Sequence, residues 1–447
     1  MCLQVLKTKL WNQLIKKGLN DLQKWKYYTP EGVQDILFEE CAKKREIEKM
    51  TRNLFNRCGF REIEPPSIEY YDAFIGNLES IPQEAMFKFF DHQGRILVLR
   101  PDVTTSIARI AATKLDCAVF PVKFSYISNV FRFEEQVSAR IKQREFTQAG
   151  VEILGVEGAE ADAEVIATII ESIRQTGMEK FQIEIGQVEF FKGLMEQADF
   201  TDSDCEKIRN LIENKDSFGM EVELKNKEIP EGLKDTIMKL PQMFGNLNLI
   251  DEIYPKIRNQ RSLKALDNLK DIFGILKDYG YEKYISIDLA MVQSINYYSG
   301  MIFRGLTHGI GFSLCTGGRY DNLISEFGRD MPATGGAVGI NRLLLALDRQ
   351  NVNMDLPIVE TLITYEPDGR KTAIQIAQEL RRQGVLVELN LGSCKTEDII
   401  DYAKDRKIKG IIFVTDKDKI RIRDLIANVV TETTINELLK NPKEKIQ

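Results

Sequence analysis

"FRFEEQVSARIKQREFTQAGVEILG", Phe131 to Gly155, reads as a basic loop held between two strand-like ends, a shape suited to an anion. Glu135 is the odd residue in it, a negative charge where such a loop would carry another arginine. Strand character recurs on both sides: "RILVLRP" and "VKFSYISNVFRF" come first, and "FQIEIGQ", "YISIDLA" and "MIFRGL" follow. Many of these runs are joined by connections of hairpin length, which favours an antiparallel sheet over a parallel one.

Outward from that sheet the chain divides by pattern. Leu37 to Cys58 has apolar residues at loosely helical spacing, and Gly59 is placed to cap it. In "FREIEPPSIEYYD" Pro65 and Pro66 cannot donate to a central ladder, so an edge or an interface is predicted there. From about Phe190 to Tyr284 the sequence is charged, helix-patterned and poor in strands, a helical insertion dividing the sheet region. "DRQNVNMDLP" reads as a linker, and beyond it strands and helices alternate as in a small α/β domain with parallel strands. The expected organisation is an N-terminal extension at 1–27, a sheet domain at 28–350 with its insertion at about 190–284, and the small domain at 355–447. Within the extension Leu3, Leu6, Leu10 and Leu14 and a lysine face read either as a membrane-surface or targeting segment or, more plainly, as an extra docking helix or the result of a start codon placed too early.

The 447 residues are 43% hydrophobic, enough for a sizeable core and for two or three domains. Acidic and basic residues nearly cancel, 67 against 61, so no bulk positive field argues for nucleic acid. Seven scattered cysteines, none spaced C-x-x-C, suggest neither a disulfide framework nor a zinc site. Two histidines, His92 and His308, leave little material for metal ligation or for Ser/His/Asp catalysis. No apolar run approaches the roughly 20 residues of a membrane span, and lysines interrupt the N-terminus, so a cytoplasmic protein is expected.

Three further stretches could carry chemistry: "LRPDVTTSIAR" (Leu99 to Arg109), "DLAMVQSINYYSG" (Asp288 to Gly300), and "CTGGRYDNL" leading to "ATGGAVGINRLLLAL" (Cys315 to Leu347). In the last, glycines precede a helix starting near Asn341, where backbone N–H groups and Arg342 could meet an anion or the glycines could serve close packing. Together with the opening loop, and in this order, these stretches resemble the class II aminoacyl-tRNA synthetases and, among them, the histidyl-tRNA synthetase family. "GFREIEPPSIE" is similar to motif 1, with Pro66 at its dimer-interface proline; "FRFEE…REFTQAGVE" is similar to motif 2 and "GGAVGINRLLL" to motif 3. The fold implied is α+β: a class II synthetase-like antiparallel sheet flanked by helices, with a helical insertion and a small C-terminal α/β domain.

Residue by residue, the resemblance places Arg132 at the motif 2 arginine and Arg342 at the motif 3 arginine. Other positions depart from the family pattern. Gln293 stands where the family has the arginine of "RGLDYY", Asn296 replaces its aspartate, Glu135 a motif 2 arginine and Asn341 the motif 3 acid. One lost phosphate contact commonly costs on the order of 10²–10³ in rate, so little ATP activation is expected, and Glu135 is explained as a loop that kept its shape and lost its nucleotide. The amino-acid side is kept. Asp102 and Thr104 match "EGT", Gln148 and Glu152 match residues that hold a histidine backbone, and Tyr297, Tyr298 and Tyr320 match positions near the imidazole. With Arg132 these form the expected histidine-binding set, with no catalytic residue, metal or cofactor.

"QAGVEILG", "YYSGMIF" and "TGGRYDNL" are most similar to the branch of this family that serves as regulatory subunits of ATP phosphoribosyltransferase. That branch implies a homodimer within a hetero-octamer, a short-form catalytic subunit as partner, and histidine as a feedback effector. Residues 355–447 carry 16 acidic and 16 basic side chains, a balance that argues against tRNA as a partner. An active histidine–tRNA ligase and a free-standing histidine sensor are the alternative readings.

Overall fold

Runs in which successive side chains alternate sides become one large sheet. The computed structural model describes residues 25–76, 81–115, 119–133, 143–225, 227–292, 297–354, 356, 359–392, 395–415 and 419–440. The chain separates into two compact units, Met1–Met354 and Asp355–Gln447.

The first unit opens with α1 (Phe38–Arg57), β1 (Arg61–Glu62), β2 (Ile68–Tyr70), β3 (Lys88–Phe90), β4 (Ile96–Leu99) and α2 (Thr104–Lys114). The opening loop of the sequence joins β5 (Val122–Phe131) to β6 (Glu145–Leu154), and α3 (Ala159–Arg174) and β7 (Phe181–Gln187) follow. Six helices come next: α4 (Val188–Gln197), α5 (Asp202–Glu213), α6 (Ser217–Lys225), α7 (Glu231–Lys239), α8 (Asn248–Ile253) and α9 (Gln260–Asp278). A short strand, β8 (Phe244–Gly245), lies among them, and the unit closes with β9 (Ile285–Asp288), β10 (Met301–Thr307), β11 (Cys315–Arg319), β12 (Ala333–Gly339) and α10 (Ile340–Arg349).

Nine strands form one sheet in the order β1-β5-β6-β12-β11-β10-β7-β9-β8. Its neighbours are antiparallel except at β1/β5 and β7/β9. β1, just ahead of the two prolines, is an edge strand. The helical insertion returns one strand, β8, to the opposite edge beside β9. A separate three-stranded sheet runs β2-β4-β3.

Each face of the large sheet has its own core. On one side Ala149, Val151 and Ile153 of β6 meet α3, whose Ile166, Ile169, Ile170 and Ile173 are completely buried. Each such isoleucine contributes roughly 1.5–3 kcal/mol by leaving water. The other side gathers Phe124 and Tyr126 of β5, Ile107 and Ala108 of α2, and Tyr320. Because strand residues alternate, β6 sends Gln148, Gly150 and Glu152 to that second side.

The second unit holds β13 (Thr361–Tyr365), α11 (Arg370–Arg382), β14 (Val387–Leu389), α12 (Thr396–Asp405), β15 (Gly410–Val414), β16 (Lys419–Asp424), β17 (Val429–Thr434) and α13 (Ile435–Lys440). Its sheet order is β14-β13-β15-β16-β17. The expected parallel pairing holds for β13 with β14 and β15, but β16 and β17 pair antiparallel. Four residues separate β15 from β16, too few for the crossover helix that a parallel neighbour requires. In "KIRIRD" Ile420 and Ile422 turn inward while charged residues alternate with them.

Candidate functional site

β5, β6, β11, β12 and the start of α2 enclose a cavity of about 620 Å³. All eight residues singled out from the sequence line it: Asp102, Thr104, Arg132, Gln148, Glu152, Tyr297, Tyr298 and Tyr320. They come from five separated stretches of chain, brought to one place by the sheet.

Glu152 is the polar centre of the deep end and is 1% exposed. Tyr320 donates its hydroxyl to Oε2 at 2.5 Å, and Thr104, in the first turn of α2, donates to Oε1 at 3.1 Å. Burial raises the carboxyl to about 8; the charge of Asp102 pushes the same way, against the two hydroxyl bonds. A carboxyl raised to about 8 is largely protonated at neutral pH. Asp102 accepts the Thr105 N–H at 3.0 Å, placing a negative charge at the N-terminus of α2 where the helix dipole favours it.

Aromatic walls complete the deep end. The Tyr297 ring meets Tyr298 edge-on at 4.8 Å and stacks with Tyr320 at 5.9 Å. Burial pushes all of these phenols upward, so each stays a neutral hydrogen-bond donor. Tyr320 is held by its neighbours in "GGRYDNL". The buried Arg319 guanidinium meets Asp162 at 2.8 Å and Asp321 at 3.1 Å, and donates to the Val156 and Gly158 carbonyls. Asp321 in turn accepts the Ser299 hydroxyl at 2.9 Å and the Ala333 N–H at 3.0 Å. Arg319 and Asp321 are thus a clamp beneath the cavity wall.

Two features of the cavity are missing from the sequence reading. Tyr126, 1% exposed, lines the deep end, and its phenol is likewise pushed up by burial. The glycines of "TGG" are the other. Gly335 lies in β12 directly across from Glu152, and a Cβ there would come within 1.4 Å of Glu152 Oε2. Gly150 likewise faces Tyr126, whose hydroxyl would lie 2.4 Å from an added Cβ. These glycines clear space for side chains of the neighbouring strand. Of the two readings of these glycines, Gly335 and Gly336 meet the packing one, since both sit inside a paired strand, while Gly339 stands at the start of α10.

The outer end differs. Asn341 is 9% exposed and accepts the Thr147 N–H at 2.9 Å. Arg342 donates to the Ser313 carbonyl at 3.0 Å, and its guanidinium lies 5.6 Å from the Phe146 ring and 5.2 Å from Phe312. Arg132 approaches Phe146 at 4.9 Å and donates to the Pro101 carbonyl at 3.2 Å. Glu135, Gln293 and Asn296 lie outside the described residues. Among the described residues no cluster of His, Cys, Asp and Glu could hold a metal, and no helix is long and apolar enough to cross a membrane.

The geometry has counterparts among known proteins. The family model for histidyl-tRNA synthetase matches residues 32–343. ATP phosphoribosyltransferase regulatory subunits are similar in sequence: that of Acetivibrio thermocellus is 51% identical over 94% of this chain and 100% of its own, and that of Ruminiclostridium cellulolyticum 48% identical over the same shares. A solved structure from Bacillus halodurans, described as an ATP phosphoribosyltransferase regulatory subunit/histidyl-tRNA synthetase, superposes with a TM-score of 0.77 at 30% identity, over 87% of this chain and 98% of that one. Histidyl-tRNA synthetase from Nostoc sp. PCC 7120 shares the fold, with a TM-score of 0.80 at 20% identity over 94% of this chain and 99% of its own. A cavity wall built from motif 2 and motif 3 strands, and identities of this size along nearly the whole chain, lead to one assignment: the chain belongs to the ATP phosphoribosyltransferase regulatory subunit family, built on the histidyl-tRNA synthetase fold.

Proposed function

We propose that this chain is the regulatory subunit of ATP phosphoribosyltransferase, without catalysis of its own, and that its cavity binds free histidine as the feedback signal. One observation carries the reading: a buried carboxyl, Glu152, lies beside Asp102 in a cavity walled by tyrosines. A ligand that brings an ammonium group to Glu152 relieves the desolvation that keeps it protonated, and Gln148 can accept from the same group. Tyr297, Tyr298 and Tyr320 supply flat walls and phenolic donors for a polar ring, with Asp102 as an acceptor. Arg132 at the rim suits the ligand's carboxylate.

The partner under this reading is a short-form catalytic subunit that condenses ATP with phosphoribosyl pyrophosphate, held in a hetero-octamer built on dimers of this chain. Histidine in the cavity biases a conformational equilibrium felt by that partner. Asn341 supports the loss of nucleotide chemistry, because a neutral amide holding a backbone N–H cannot ligate a metal as an acid would.

The test mixes the purified chain with a short-form catalytic subunit. Expected are phosphoribosyl transfer that requires both proteins, inhibition by histidine, and no histidine-dependent exchange of pyrophosphate into ATP by this chain alone. Ordinary rates of that exchange would instead make the chain a ligase. Histidine binding with neither activity would make it a sensor for some other partner.

A further inference from the structure

The sheet face that carries the cavity continues past it. Ala337 of β12, Thr316 of β11, Arg304 of β10 and Glu184 of β7 stand opposite one another in successive strands, so their side chains share one side. Ala337 and Thr316 line the cavity already described. Arg304 and Glu184 line a second one, of about 210 Å³, where the helical insertion meets the sheet.

Charge divides this second cavity into two parts. On the sheet, Arg304 donates from Nε to Glu184 at 2.6 Å and from Nη2 to Asp288 at 3.1 Å. Asp288, 7% exposed, also accepts the Ala290 N–H at 2.9 Å, yet burial still pushes its carboxyl upward against both partners. Two carboxylates around one guanidinium leave this part with negative charge in excess. On the insertion, Glu213 ends α5 and Lys215 lies just beyond it. Among the described residues neither of these side chains forms an ion pair or a hydrogen bond. Lys215 also has a left-handed backbone, φ 53°, at a position after a helix where glycine is usual. Any side chain there costs roughly 1–2 kcal/mol relative to glycine.

The lining specifies its ligand by charge and size. Three acidic and two basic side chains face the cavity, so a ligand with one positive charge in excess neutralises it. A phosphate or nucleotide adds negative charge to the excess, and histidine, neutral overall at pH 7, lacks the second cation. A volume of about 210 Å³ equals about seven waters at roughly 30 Å³ each, room for one small amino acid. Ile212, Pro241 and Met291 supply apolar wall for an aliphatic stem.

We propose that this second cavity binds a free basic amino acid, its side-chain cation beside Asp288 and Glu184, its α-ammonium at Glu213 and its α-carboxylate at Lys215. The site stands apart from the histidine reading above and does not depend on it.

Calorimetry on the full chain tests the site with lysine and arginine as probes, each titrated alone and again in saturating histidine. At least one of them should bind once per chain, and histidine should leave that binding within about threefold. Norleucine, which keeps the α groups but lacks the side-chain cation, and cadaverine, which lacks the carboxylate, should each bind at least about tenfold more weakly. Lys215→Gly should weaken the basic amino acid by about tenfold or more while its melting temperature holds or rises, because glycine relieves the left-handed backbone. The exposed Glu213→Gln should weaken binding similarly in a fully folded protein. Silence from both probes up to about 10 mM, displacement by histidine, or cadaverine binding as tightly as lysine overturns the proposal. So does unchanged affinity in both folded variants.

Discussion

The two ends of the cavity handle polar groups in opposite ways. At the deep end Glu152, Asp102 and the phenols line the cavity, and the carboxyl is held up near 8 because burial outweighs the hydroxyl bonds it receives. At the outer end Asn341 holds a backbone N–H of β6, and Arg342 is packed among Phe146, Phe312 and the Ser313 carbonyl. The deep-end groups line the cavity while bonded to one another and to α2; Asn341 and Arg342 do not line it.

The contrast can be broken most forcefully at Gly335. Gly335→Ala sets a methyl against Glu152, so β6 and β12 must separate or the carboxyl must leave the cavity. Histidine affinity should fall more than about 100-fold and stability by about 1–3 kcal/mol, read by calorimetry and thermal melting. Survival of tight binding would mean that Glu152 is not a contact.

Glu152→Gln comes next, with an expected loss of about 10- to 100-fold in histidine affinity, the worth of a charge-assisted bond. Its pH behaviour sharpens the case. The raised carboxyl adds stability that is fully present below about 4.5 and is lost as pH rises through about 8. Melting temperature should therefore decline across that window, and the decline should flatten in the glutamine variant. Ligand binding runs the other way, because an arriving ammonium favours the carboxylate; calorimetry in buffers of different ionisation enthalpy should detect proton release near pH 7 that the variant lacks.

Tyr298→Ala and Gln148→Ala are milder, since each removes one wall or one acceptor. Histidine inhibition of the complex should weaken by about tenfold, while activation of the catalytic subunit stays largely in place. Inhibition constants unchanged in both variants would remove histidine from this cavity. The smallest effect is expected at the outer end. Arg342→Ala should lower stability by about 1 kcal/mol through lost stacking and leave histidine affinity within about threefold. A large loss of affinity there would erase the distinction between the two ends.

The residues differ in how far the sequence betrays them. Gln148 and Glu152 could be named early because they sit four apart in a strand-like run, on one side by alternation, within a motif whose order is specific. Tyr126 escaped because nothing in "VKFSYISNVF" distinguishes it from Phe124; it matters through its pairing with Gly150, 24 residues further along. The glycines of β11 and β12 were legible as glycines but not as space, since the group that needs the space belongs to another strand. The antiparallel β16 and β17 were missed because helix-strand alternation set a pattern that the final hairpin abandons.

The sequence by itself determined which stretches are strands and helices, which residues share a side, and which family the motifs belong to, because periodicity and motif order are carried by neighbours along the chain. Only the tertiary structure decided that eight scattered residues share one cavity, that Gly335 opens it and that Glu152 is desolvated. Those depend on register and burial, which are set by contacts between residues far apart in the chain.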